Sequence, residues 1–150
     1  MNRFRIVADS SCDLLTLDGA DFVSVPLTIR TDTEEFRDDA FLDVNEMVTV
    51  LRGTGGRSYS ACPNIADWEN AFGERGDVIA FTITGSLSGS YSMACAAKKH
   101  CEELDSSRRI CVVDKETVHC SGASFIFCQC TSSQEEDVLS IDLNLRGDLD

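Results

Sequence analysis

Hydrophobic and polar positions change rhythm along the chain in a way that separates strands from helices. Arg5-Ile6-Val7-Ala8-Asp9 is a short β-rich run ending in Asp-Ser-Ser, the pattern of a strand entering a polar loop or helix cap. Residues 22–29 (FVSVPLTI) form a second extended run. Pro26 inside it predicts an edge position or an interruption, because proline cannot donate to a ladder. Residues 43–52 place Val44, Met47, Val48 and Leu51 on one helical face, with Asp43 as N-cap and Gly53 as stop. The glycine-rich stretch GTGGRSYSACPN reads as a loop, and residues 65–72 resume a helical pattern with Trp68 and Phe72 four apart.

Residues 77–83 (DVIAFTI) are the clearest buried strand, a nearly continuous apolar run of the kind found at the centre of a parallel sheet covered on both faces. The loop TGSLSGS follows, then an alanine-rich helix over 91–104, then an apolar strand over 109–114. This strand-loop-helix-strand order predicts a right-handed crossover in a parallel sheet and an α/β class. After Gly122 the rhythm is lost. SFIFCQC is apolar, but the remaining residues are acidic and polar with no convincing cap, so a disordered or irregular tail is expected over 123–150.

Length and charge narrow the function. With 150 residues, 43% of them apolar, the chain suits one domain with a real core. The 26 acidic against 13 basic residues give a formal charge of −13, which opposes nucleic-acid partners and condensation onto an anionic bilayer. No stretch near the N-terminus resembles a secretory leader or a membrane span, so a cytoplasmic location without stable membrane insertion is expected. The eight cysteines are irregularly spaced and read as mostly reduced thiols. They offer no C-x-x-C, and adjacent His-Cys pairs strain a tetrahedral shell, so no metal and no cofactor is expected. Cys62, beside Pro63 in a polar loop, is the thiol to test for reactivity.

Ligands of parallel α/β sheets gather at the carboxyl ends of strands, which here are rich in hydroxyls: DSSCD, SYSACPN, TGSLSGS and DKETVHCSG. Ser88-Gly89-Ser90 offers a side-chain donor, close backbone approach and the start of a helix, where an anion is stabilised. The plain alternative is that Ser86 or Ser88 only caps that helix. A serine nucleophile at Ser88 would need a base, and the sequence offers only His100, in a lysine-rich helix end, and His119.

Four motifs taken in order, VADSSCDL at 7–14, VPLTI at 25–29, SACP at 60–63 and ITGSLSGSY at 83–91, resemble the DegV family, and Val112-Val113-Asp114 with Ser121-Gly122 extends the likeness. The resemblance implies a three-layer α/β/α N-terminal domain with a mostly parallel sheet over 1–122. It also implies a carrier that is not itself an enzyme, holding a long-chain fatty acid between two lobes and presenting it to a separate fatty-acid kinase. By motif position, Ser60, Ser88 and Gly89, joined by Ser10, are the expected carboxylate contacts. Ala61 stands where the family commonly has serine, Ser90 where it has threonine, and Thr84-Gly85 where it has a serine pair. The second, lipid-covering domain is expected to be absent, with residues 123–150 an atypical tail of a truncated or frameshifted member. The readings that compete with the carrier are a serine-nucleophile hydrolase using Ser88 and His119, and a non-functional gene fragment.

Overall fold

The computed structural model describes residues 4–115 apart from 54 and 56. Sheet A holds four parallel strands, β1 (Arg5–Asp9), β2 (Asp21–Val25), β6 (Val78–Ile83) and β7 (Ile110–Lys115), in the order β2-β1-β6-β7. A smaller antiparallel sheet B orders β4 (Glu35–Arg37), β3 (Thr28–Arg30) and β5 (Tyr59–Ala61) as β4-β3-β5. Three helices complete the described part: α1 (Val44–Gly53), α2 (Ile65–Phe72) and α3 (Ser90–Leu104). The α/β class and the parallel sheet are therefore as the sequence pattern predicts.

Period-two alternation decides which side of sheet A meets the helices. Val7, Val25, Val78, Ala80, Ile110 and Val112 lie on one face and form a single cluster with Trp68, Ala71 and Phe72 of α2 and Ala94, Ala97 and Cys101 of α3. Small alanines on α3 and the Trp68 and Phe72 rings of α2, 5.9 Å apart, pack together into this cluster. The opposite face carries Ile6, Phe22, Ile79, Phe81 and Cys111, all half-buried. Among the described residues both packed helices serve one face; the tail expected over 123–150 lies outside the described residues.

One local detail is as Pro26 predicts, and one differs from the sequence reading. The extended run over 22–29 breaks at Pro26-Leu27 into β2, the edge of sheet A, and β3, the centre of sheet B. The glycine-rich stretch expected to be loop contributes β5, whose register pairs Ser60 with Ile29. A three-residue strand is too short to show a period, and its pairing is non-local, so only the fold reveals it.

Side chains fix the starts of α1 and α2, the first as expected. Asp43 Oδ1 accepts the Glu46 N–H at 3.0 Å. Asn64 and Asp67 form a reciprocal capping box on α2, each side chain accepting the other's backbone N–H at 3.0 Å. At the other end of α2 the Arg108 guanidinium, only 8% exposed, donates to the carbonyls of Phe72, Gly73 and Gly76. This ties the last turn of α2 to the strand that follows α3.

Candidate functional site

The carboxyl ends of β1, β6 and β7 meet at one edge of sheet A, where the polar loops collect. At its centre is Asp9, 1% exposed at the end of β1. Asp9 Oδ2 accepts the Ser90 hydroxyl at 2.6 Å and the Ile83 N–H at 2.9 Å, while Oδ1 accepts the Ser11 hydroxyl at 2.5 Å. One carboxylate thereby joins the end of β1, the end of β6 and the first residue of α3. Its burial is tolerated because three donors satisfy it.

The loop between β6 and α3 is held at both ends by carboxylates. Asp114 Oδ1 accepts the Gly85 N–H at 2.8 Å, and Asp9 holds Ser90. Between them, Thr84 and Ser86 share a hydroxyl bond at 3.1 Å, and the Thr84 carbonyl accepts from the Leu87 and Ser88 N–H groups. Gly85 and Gly89 are needed for closeness: a Cβ on Gly85 would stand 3.2 Å from Asp114 Oδ2, and one on Gly89 3.1 Å from Cys62 Sγ.

The sequence-predicted residues occupy this region in different ways. Ser88 Oγ accepts the Ser90 N–H at 3.2 Å, so it does serve the helix start, although the N-cap position itself belongs to Gly89. Gly89 is exposed and lies against Cys62, two residues from the exposed Ser60 at the centre of β5. In sheet B, Ser60 stands in one cross-strand row with Ile29 and Phe36. Ser10 is 6% exposed, and its Oγ accepts the Leu27 N–H at 3.0 Å, fixing the passage from β2 into β3. The fold thus brings the Ser88-Gly89 loop to Cys62 of the SACP motif, while the Ser10 hydroxyl is engaged by Leu27.

Other candidates fall elsewhere. His100 is on the exposed side of α3, bonded to the Glu69 carboxylate of α2 and so not simply solvated as its sequence context suggests. His119 lies outside the described residues. Cys62 is half-buried against Gly89. Burial pushes the Cys12 thiol up, against the lowering effect of its bond to the Leu14 carbonyl. No metal-holding group of three or more His, Cys, Asp or Glu is found among the described residues.

The sequence pattern points to the serines and not to the two carboxylates, Asp9 and Asp114, that pin the ends of the loop between β6 and α3. The signal for Asp9 was in the chain: an acid closing an apolar strand and followed by two serines is placed to receive hydrogen bonds at a strand end. For Asp114 the same holds at the end of Ile110-Cys111-Val112-Val113.

The DegV family model matches residues 3–137. The chain belongs to the DegV family. A DegV domain-containing protein of Streptococcus pneumoniae strain R6 is 40% identical over 115 residues, covering 74% of this chain and 41% of that protein. Among solved structures, a DegV family protein from Eubacterium eligens loaded with heptadecanoic acid superposes with a TM-score of 0.72 at 45% identity, covering 74% of this chain and 40% of that one. The Streptococcus pneumoniae Fatty Acid Kinase (Fak) B3 protein loaded with linoleic acid gives 0.72 at 40% identity, covering 75% and 41%. A stearic acid-binding protein from Eubacterium ventriosum gives 0.65 at 29% identity, covering 74% and 41%. This chain spans about two-fifths of the length of the DegV relatives it matches. The family match runs past residue 122, the boundary drawn from the motifs, as far as 137.

Proposed function

We propose that this chain supplies the head-group lobe of a cytoplasmic fatty-acid carrier, with Ser60, Ser88 and Gly89 receiving the ligand carboxylate and Ser10 holding the passage from β2 into β3. The observation that carries the reading is the meeting of the Ser88-Gly89 loop with the SACP turn at Cys62. Ser88 and Gly89 stand at the start of a 15-residue helix, whose dipole favours a negative group. DegV structures at 45% and 40% identity, each with a bound fatty acid, support it. The Fak B3 name further supports a fatty-acid kinase as the partner that consumes the cargo. No described helix is long and apolar enough to cross a membrane, in keeping with a carrier that releases its cargo to a protein.

In this reading the protein is not an enzyme. Among the described residues Ser88 Oγ bonds to a backbone N–H and to no imidazole, and His100 belongs to the α2–α3 contact. The domain division proposed from the sequence, a head-group lobe to 122 and a separate tail, stands beside the family match to 137.

The test is a fusion of residues 1–115 to the remainder of the Streptococcus pneumoniae Fak B3 protein, titrated with linoleic acid in a calorimeter. Saturable binding is expected, with Ser60→Ala and Ser88→Ala each weakening it about tenfold or more, as for loss of a hydrogen bond to a charged group. A fusion that folds and binds nothing overturns the carrier reading. Unchanged binding by both alanine variants overturns the residue assignment alone.

A further inference from the structure

The loop between β6 and α3 turns on a single peptide unit. Its carbonyl, on Thr84, accepts the Leu87 N–H at 3.0 Å and the Ser88 N–H at 3.2 Å. Its N–H, on Gly85, donates to Asp114 Oδ1 at 2.8 Å. The unit that gathers Leu87 and Ser88 is therefore itself held by a carboxylate from the neighbouring strand, where β7 pairs Asp114 with Thr82 of β6. Because a peptide unit is flat, its N–H and C=O turn together, and a rotation that frees one moves the other. A charged acceptor on the N–H also polarises the unit and strengthens the bonds its carbonyl receives.

Packing reinforces that placement on one side and leaves the loop open on the other. Thr84 is buried, and a Cβ on Gly85 would stand 3.2 Å from Asp114 Oδ2 and 3.4 Å from the Tyr91 side chain. Gly85, Ser86 and Leu87 are exposed, and the next anchor along the chain is Ser90, bonded to Asp9. Asp9 thus fixes the start of α3, and Asp114 fixes the turn that precedes it.

We propose that Asp114 is a positioning residue for the ligand head group, an assignment that rests on the carrier reading of this edge. Through the Thr84–Gly85 peptide it sets where Ser88 stands, and so how tightly a fatty-acid carboxylate is held. Its signature differs from that of a buried structural acid. Gly85 is exposed, so water replaces Asp114 on the Gly85 N–H when the carboxylate is removed, and little stability is lost. What is lost is the direction of the Thr84 carbonyl, and with it the preorganised place of Ser88.

The experiment titrates linoleic acid into the fusion of residues 1–115 with the remainder of the Streptococcus pneumoniae Fak B3 protein, as the parent and as Asp114→Ala, Asp114→Asn, Ser88→Ala and Asp114→Ala/Ser88→Ala. Asp114→Ala should raise Kd about fivefold or more, while Asp114→Asn, whose amide oxygen still accepts the Gly85 N–H, should stay within about twofold of the parent. The double variant should bind no more weakly than Ser88→Ala, since Asp114 acts through Ser88; losses that multiply instead overturn the proposal. Equal losses in Asp114→Ala and Asp114→Asn overturn it as well. A parent fusion that binds nothing removes the carrier reading and the proposal with it, whereas parent binding that Asp114→Ala leaves unchanged removes the proposal alone. If Asp114→Ala does not fold, Gly85→Ala takes its place, because the added Cβ presses on Asp114 Oδ2 and Tyr91 and should weaken binding in the same sense. Full affinity in a folded Gly85→Ala then overturns the assignment.

Discussion

The residue with most consequence is Asp9. Its carboxylate satisfies the buried Ser90 hydroxyl and the Ile83 N–H through one oxygen and Ser11 through the other. Asp9→Ala should therefore lower stability by about 2–4 kcal/mol in urea unfolding, since two buried donors lose their acceptor. Asp9→Asn keeps one acceptor oxygen and should lose less; equal losses would show that the donors do not depend on that oxygen. His100 gives a prediction of a different kind. The Glu69 carboxylate bonded to it raises its affinity for the proton above the ordinary value of 6.5. A raised folded-state value means stabilisation that is fully present below about pH 6.5 and disappears as pH rises through the folded-state value. The gap in melting temperature between the parent and Glu69→Gln should be wider at pH 6 than at pH 8.5, and small at both because the pair is exposed. At this scale the sequence shows the hydroxyls plainly and hides the carboxylate that fixes the start of α3 beside them. Ser88 and Ser60 stand in short polar motifs, whereas the bonds from Asp9 span 74 and 81 residues and exist only once β1 lies beside β6.

Elements were legible in proportion to their length and to the locality of what defines them. α2 is marked by Asn64 and Asp67 three apart, and its bounds follow from that box and from Gly73. β6 shows itself as an apolar run and α3 as a long alanine-rich stretch, and both form where expected. Sheet B was not legible, because β3, β4 and β5 have three residues each and pair only across long sequence separations or through short turns. The end of α2 supplies this scale's prediction. Gly73 has φ 68° and ψ −176°, a region open essentially to glycine alone, and a Cβ there would meet Arg5 Nη1 at 2.5 Å. Arg5 is bonded to the Ala71 carbonyl and to Asp21, so it cannot give way without breaking those bonds. Gly73→Ala should cost about 1–3 kcal/mol by chemical denaturation, from backbone strain and the displaced guanidinium together. A loss of a few tenths would mean that the α2 end relaxes freely.

For the whole molecule, the question is how much of a ligand one lobe can hold. In the proposed carrier, head-group contacts at the strand ends would supply direction, but the affinity of a fatty acid comes mainly from covering its tail, at about 0.8 kcal/mol per buried CH₂. The described residues place hydroxyls and backbone groups at that edge, with Leu14, Leu15 and Leu87 exposed around it. These three leucines can touch one side of an acyl chain and leave the other side in water. If about eight methylenes stay uncovered, about 6 kcal/mol is lost, which is roughly four orders of magnitude in Kd. The 150-residue chain alone is therefore expected to bind linoleic acid weakly, with no saturation at low micromolar concentration in calorimetry. The fusion carrying the rest of a relative should bind it tightly. Replacing Leu87 by Ser should weaken binding to the fusion by about tenfold or less, because one partly covering side chain is removed and the head-group contacts remain. Tight, saturable binding by the 150 residues on their own would mean that these residues enclose the tail without a second lobe.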